Sequence, residues 1–194
     1  MLLGNLELLE KKHTENSLNP FLIRARTAAE RISASIKFTK TYEDIGVHAP
    51  VWRDVRKLVD ASSYDIVPGH IKVVNDIQEG IEVLADPLIL NVFVNLIDNA
   101  VRHGGNITTI RFYFEQKEGV DTLVCEDDGS GIKMEMKERL FTRGFGNNHG
   151  LGLFLSRDIL SITGIGITEA GEPGQGAKFR MTIPKKDLRE HIKA

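Results

Sequence analysis

Residues 86–103 read Asp-Pro-Leu-Ile-Leu-Asn-Val-Phe-Val-Asn-Leu-Ile-Asp-Asn-Ala-Val-Arg-His, and this stretch decides the fold. Asp86 is a favoured N-cap residue and Pro87 suits the first helical position, so a helix is expected to open here. Gly104-Gly105 ends it. The segment is apolar almost all round, from Leu88 and Ile89 through Val92, Phe93, Leu96 and Ile97 to Ala100 and Val101. Set into it are Asn91, Asn95 and Asn99 at i, i+4 and i+8, hence on one face, with Arg102 three residues beyond Asn99. Asparagine is a mediocre helix former and costly to bury without partners. The stripe therefore reads either as a solvated face or as a ligand-binding one. In the second case an amide oxygen is a hard donor suited to Mg²⁺, and Arg102 suits the phosphates such a metal carries.

Outward from this helix the pattern is α+β. Ile71–Ile77 and Gly80–Ala85 read as strands joined by a turn around Gln78–Gly80. Thr108–Gln116 and Asp121–Asp127 read as a strand pair around Glu118-Gly119, followed by a glycine-punctuated stretch over 129–152. A helix over about 151–163 precedes the final strands, Gly164–Ala170 and Ala177–Pro184. Ahead of all this, residues 1–46 show helical spacing in two parts. Leu2, Leu3, Leu6 and Leu9 form one stripe; Leu22, Ala25, Ala29, Ile32 and Ile36 form the other. His13–Pro20 reads as the turn between two antiparallel helices. Neither helix can bury its stripe alone, so a partner chain is expected. Residues 47–68, with Pro50, Trp52 and Pro68, are expected to be a linker, and 186–194 a charged, fraying tail.

Composition narrows the classes further. The 194 residues carry 25 Lys and Arg against 27 Asp and Glu, a net charge of −2, so no positive field advertises nucleic acid or an anionic membrane. One cysteine excludes an internal disulfide framework and a cysteine-rich zinc site, and Cys125 itself reads as a small buried hydrophobe. No apolar run reaches the roughly 20 residues of a membrane helix, and a soluble, intracellular location is expected.

Three glycine-rich pieces carry further chemistry. Asp127-Asp128-Gly129-Ser130-Gly131-Ile132 closes an apolar strand. There the chain turns sharply and a carboxylate is available to a donor such as an exocyclic amine, though tight turns use Asp and Gly in the same way. Gly144-Phe145-Gly146-Asn147-Asn148-His149-Gly150-Leu151-Gly152-Leu153 runs into a helix, and such an entry offers unpaired N–H groups and a positive dipole end to phosphate. It is neither the Walker A pattern nor the dinucleotide fingerprint. Gly174-Gln175-Gly176 enters the last strand and by itself reads as a hairpin.

The order and spacing of these pieces resemble a known set. Asn95-x3-Asn99, Asp127-x-Gly129-x-Gly131, Phe141-x3-Phe145, Gly150-x-Gly152 and Gly174-x-Gly176 are similar to the N, G1, F, G2 and G3 boxes of the histidine-kinase ATP-binding domain. The resemblance covers about residues 66–185 and implies a Bergerat α/β sandwich with a mixed sheet over 69–185. Residues 1–46 look like part of a kinase dimerisation hairpin, and Phe38–Gly46 has the flavour of archaeal sensor kinases. The resemblance implies that Asn99 holds Mg²⁺, that Asn95 lies close to the phosphates of ATP, and that Arg102 contacts them. His103 would lie along the nucleotide. Asp127 would accept from the adenine amine, Gly129 and Gly131 would admit the base, and Ile132 and Phe145 would line the site. Gly150, Leu151, Gly152 and Leu153 would give backbone N–H groups to the phosphates, and 133–149 would be a mobile lid. A response regulator and a homodimer would be the partners.

Departures from the pattern sharpen the expectation. None of the six histidines (His13, His48, His70, His103, His149 and His191) is followed by Asp or Glu, as the family's phosphoacceptor is. The acceptor is therefore expected upstream of Met1. ATPases of the gyrase and mismatch-repair kind place a glutamate base one helical turn before the metal-binding Asn; here that position is Asn95. Two alternatives to the kinase reading follow, a clamp ATPase and a nucleotide-gated binding module.

Overall fold

The computed structural model describes residues 19–64, 67–117, 119–145 and 151–190. The chain divides into two compact units, residues 1–44 and 45–194. In the first, α1 (Asn19–Glu43) runs for 25 residues and contains the second expected stripe. Ala29 is buried, whereas Ile32 and Ile36 are 60% and 65% exposed. The expected first helix, Leu2–Leu9, lies outside the described residues.

The second unit is the expected α+β sandwich, built on two sheets. The larger is mixed, in the order β2 (Lys72–Asn75), β4 (Thr109–Lys117), β5 (Val120–Asp127), β7 (Lys178–Thr182) and β6 (Gly166–Glu169). Only β2 runs parallel to its neighbour. The smaller is antiparallel, in the order β1 (Val51–Asp54), β3 (Ile81–Ala85) and β8 (Leu188–Glu190). Helices α2 (Val55–Ser63), α3 (Ile89–His103) and α5 (Gly152–Ser161) pack together, and α4 (Met134–Lys137) is a single turn.

Alternation explains the core. Phe112 stands opposite Cys125, which stands opposite Phe179, and all three are buried on one face of the large sheet. Phe93 of α3 meets Phe112 with ring centroids 5.9 Å apart. Truncating either ring would remove roughly 3–5 kcal/mol. Cys125 is 3% exposed, and burial pushes its thiol well above the ordinary range, so it behaves as the small hydrophobe expected.

Several expectations are corrected. Residues 47–68 are not a linker, because 51–63 form β1 and α2. Asp54 caps α2, its Oδ1 accepting from Lys57 N at 3.0 Å, and Val55, Leu58, Val59 and Ser62 are buried. The segment 186–194 is not simply a fraying tail. Lys185–Asp187 form a 3₁₀ turn, and β8 pairs with β3 so that Arg189 faces Glu82 at 2.6 Å. The Arg189 guanidinium also covers Trp52, 4.0 Å from the ring centroid. The strands β2 and β3, adjacent in sequence, belong to different sheets. Finally, α3 starts at Ile89, later than expected: Asp86 instead caps the preceding turn, its carboxylate accepting from Leu88 N at 2.8 Å and Gly46 N at 2.9 Å.

Candidate functional site

A cleft of about 380 Å³ lies among α3, the end of β5, the segment after it and the first turn of α5. Its volume falls in the range of small-molecule sites. Asn95, Asn99, Arg102 and His103 of α3 line it, together with Asp127, Gly131, Ile132 and Phe145, and Leu151, Gly152 and Leu153 at the start of α5. The structure thus brings together residues that lie up to 58 positions apart, between Asn95 and Leu153. Gly150 lies outside the described residues.

Asn95 and Asn99 share the stripe but differ in their surroundings. Asn95 Nδ2 donates to Gly152 O at 3.1 Å and Ser156 Oγ at 3.2 Å, which ties α3 to α5. Asn99, one turn on, lines the cleft beside Arg102 and His103. Arg102 is held by Asp98, Nε to Oδ1 at 2.6 Å, and both side chains are substantially exposed. The first N–H groups of α5, at Gly152 and Leu153, have no carbonyl one turn back within the helix, so this end of the cleft favours an anion.

Asp127 ends β5 and is 6% exposed. Its Oδ1 accepts from Gly129 N at 2.9 Å and Ala177 N at 3.2 Å, leaving Oδ2 for the cleft. Burial raises its pKa above the ordinary carboxylate value, and the two backbone N–H groups oppose that shift. Its neighbour Asp128 instead braces β4, accepting from Thr108 N at 2.8 Å and Thr109 N at 3.0 Å. Burial works against ionisation of Asp128, yet a hydrogen bond from the Thr108 hydroxyl, with these backbone bonds, holds its pKa below the usual value.

Gly129 packs behind the cleft wall at Gly104. A Cβ there would stand 2.4 Å from Gly104 O, so glycine is needed for packing behind Asp127. Gly131, at φ +66, does line the cleft, and a Cβ on it would meet Glu172 O at 2.6 Å. Gly176, at φ +95, touches Asp127 O so closely that only glycine fits. Phe145 lines the cleft beneath the Arg139 guanidinium, whereas Phe141 packs edge-on against Phe179 with centroids 6.5 Å apart. Because of that contact, the expected lid of 133–149 is tethered through its first part.

Sequence reasoning missed Gly104, Met136, Leu140 and Phe179 as wall residues and Ser156 as the partner of Asn95. Ser156 lies i+4 from Gly152, which was a legible signal. Among the described residues no group of three or more His, Cys, Asp and Glu side chains is placed to hold a metal. The Asn99 amide oxygen, free of the contacts that occupy Asn95 and Asp98, is a hard donor of the kind that suits Mg²⁺, which keeps few protein ligands.

Known proteins share the fold that holds this cleft. The family described as histidine kinase-, DNA gyrase B- and HSP90-like ATPase matches residues 85–187. The adaptive-response sensory kinase SasA of Crocosphaera subtropica is 30% identical over 178 residues, 86% of this chain and 46% of its own. The alginate biosynthesis sensor protein KinB of Pseudomonas aeruginosa is 33% identical over 102 residues, 50% of this chain and 17% of its own. The chain thus spans less than half the length of these relatives. Full-length ShkA, solved with AMPPNP, shares the fold over 99% of this chain and 43% of its own, with a TM-score of 0.67 at 19% identity. The ATP-binding domain of PrrB from Mycobacterium tuberculosis aligns over 71% of this chain and 98% of its own, with a TM-score of 0.57 at 25% identity.

Proposed function

Because the chain belongs to the histidine kinase-, DNA gyrase B- and HSP90-like ATPase family, we propose that it is the ATP-binding catalytic region of a two-component sensor histidine kinase. In this reading it is a protein histidine kinase that presents the γ-phosphoryl of Mg-ATP to a histidine, for relay to a response-regulator aspartate. The histidine lies in a sequence context that these 194 residues do not contain.

The observation that carries the choice among nucleotide-binding classes is the state of Asn95. A clamp ATPase needs a carboxylate there to take a proton from water. Here the position is an amide donating to Gly152 O and Ser156 Oγ. Asp98, the nearest carboxylate on α3, is held by Arg102. Hydrolysis is thereby disfavoured and presentation of the phosphoryl group is kept.

Each residue then has one task. Asp127 Oδ2 accepts from the adenine amine. Ile132 and Phe145 cover the base, and His103 lies along the nucleotide. Leu151, Gly152 and Leu153 direct N–H groups at the phosphates. Asn99 gives its amide oxygen to Mg²⁺, which neutralises phosphate charge when bound. Arg102 leaves Asp98 to do the same from the side. Ile32 and Ile36, exposed on α1, support a homodimer formed through the helical unit.

Calorimetry with Mg-ATP tests the site, and micromolar to sub-millimolar binding is expected. Labelled ATP then tests the reaction. The 194 residues should give no acid-labile phosphohistidine, and a chain extended upstream of Met1 to include the acceptor helix should give one that survives base. Brisk hydrolysis by the 194 residues would establish the clamp ATPase. Binding without transfer by the extended chain would establish the binding module.

A further inference from the structure

Lys137 is the last residue of α4, and its side chain leaves the cleft rather than entering it. Its Nζ lies 2.7 Å from Glu169 Oε2 at the end of β6, and it also donates to Gly171 O. The two side chains are 14% and 1% exposed. Glu169 Oε1 accepts from Gly171 N at 2.9 Å and Lys178 N at 3.1 Å. Oε2 makes no hydrogen bond among the described residues, so the Lys137 ammonium is what compensates its charge.

The placement is unusual for an ion pair. Glu169 stands opposite Phe179, on the sheet face that carries the core, and Phe179 lines the cleft. A carboxylate that deep is tolerated only with a partner. Met136, one residue before Lys137, lines the cleft. Successive helical side chains diverge by about 100°, so one turn of chain puts Met136 at the cleft and Lys137 on the sheet. Two uncharged ties act alongside, Gly174 N donating to Ser130 O at 2.8 Å and the Phe141–Phe179 ring contact.

We propose that Lys137 and Glu169 are a positioning pair for the nucleotide cleft: their buried contact fixes the turn that carries Ile132, Lys133 and Met136 over the cleft before any ligand arrives. The inference rests on the nucleotide reading of that cleft and adds residues to it that touch no ligand. Preforming a wall raises the fraction of binding-competent molecules, and apparent affinity scales with that fraction.

The test uses the full 194-residue chain, Mg-ATP calorimetry and amide exchange. Lys137→Met leaves Glu169 buried and unpaired, and is expected to weaken Mg-ATP binding about tenfold. It should also speed exchange at the Met136, Arg139 and Leu140 amides while leaving Leu123 and Val124 of β5 unchanged. Lys137→Met with Glu169→Val replaces the pair by apolar groups, which buried ion pairs often tolerate, and should return affinity to within about twofold of wild type. If the single variant fails to fold, rescue of folding, affinity and local exchange by the double variant carries the inference. Wild-type affinity in a folded Lys137→Met, or equal acceleration at β5 and at 136–140, overturns it. A double variant no better than the single one overturns it too. Failure of the unmodified chain to bind Mg-ATP is a distinct result, which removes the nucleotide reading and this pair's role with it.

Discussion

Asn95 donates to Ser156 Oγ at 3.2 Å, so the helix bearing the asparagine stripe and the helix that opens at Gly152 are joined side chain to side chain. The same amide reaches Gly152 O, and Ser156 Oγ donates to that carbonyl as well, at 2.9 Å. The three groups close a small ring of hydrogen bonds. It sets the distance between Asn99 and the first turn of α5, on which any shared grip on phosphates depends.

Removing the ring should therefore cost stability and binding together. Asn95→Ala should lower stability by about 1–2 kcal/mol, the sum of two modest hydrogen bonds. That is a few degrees in thermal melting for a chain of this size. Asn99→Ala should leave the melting temperature unchanged and abolish the Mg²⁺ dependence of ATP binding. Calorimetry with and without Mg²⁺, beside melting curves, separates the two.

Asp127 gives a pH dependence of definite sign. Its pKa is raised by burial, so ionising it costs more in the folded chain than in the unfolded one. Its contribution to stability is full below the unfolded pKa and is lost as pH rises through the folded one. At neutral pH, Asp127→Asn should then melt no lower than the wild type, with the amide oxygen still accepting from Gly129 and Ala177. The same substitution should lose adenine selectivity. Wild-type ATP affinity should fall on acidification at a pH above that of an ordinary aspartate, and Asp127→Asn should not show that fall.

Two glycines only two positions apart should respond very differently to alanine. At Gly176 the added carbon would collide with Asp127 O, and the loss should exceed about 3 kcal/mol. At Gly174, with φ +86 and open space around it, only backbone strain of about 1–2 kcal/mol is expected. Denaturant unfolding of both variants checks the contrast.

Arg102→Gln should be nearly silent in the apo protein. The Asp98–Arg102 pair is substantially exposed, and such pairs contribute at most about 1 kcal/mol. The variant should instead lose discrimination between ATP and ADP, measured by competition at fixed Mg²⁺.

Much of this was legible in the sequence, for local reasons. The asparagine stripe on α3 and the strand pair β4–β5 survive into the structure because helix and strand periods are set by the backbone. Asp127, Asn99 and Gly152 stand out as polar or small interruptions in apolar runs. The α2 helix was readable too, since Asp54 precedes Val55, Leu58, Val59 and Ser62 at i, i+3, i+4 and i+7, but Pro50 and Pro68 argued for a connection. Beyond that the signals are tertiary. β8 has an ordinary charged sequence and is a strand only because β3 offers it an edge. Lys137 and Glu169 lie 32 positions apart, and in a run such as Lys133–Arg139 a charged residue reads as solvated.

The three-stranded sheet bears on how this protein is to be handled at the bench. β3 sits between β1 and β8, which come from opposite ends of the second unit. A recombinant piece cut to the motif boundaries, residues 69–185, would keep every cleft-lining residue named above and strip β3 of both neighbours. Ile81, Val83 and their backbone would then stand as an unprotected ribbon, of the kind that recruits other chains into aggregates. Trimming at 45 and 190 keeps both flanking strands, with Arg189 still lying over Trp52.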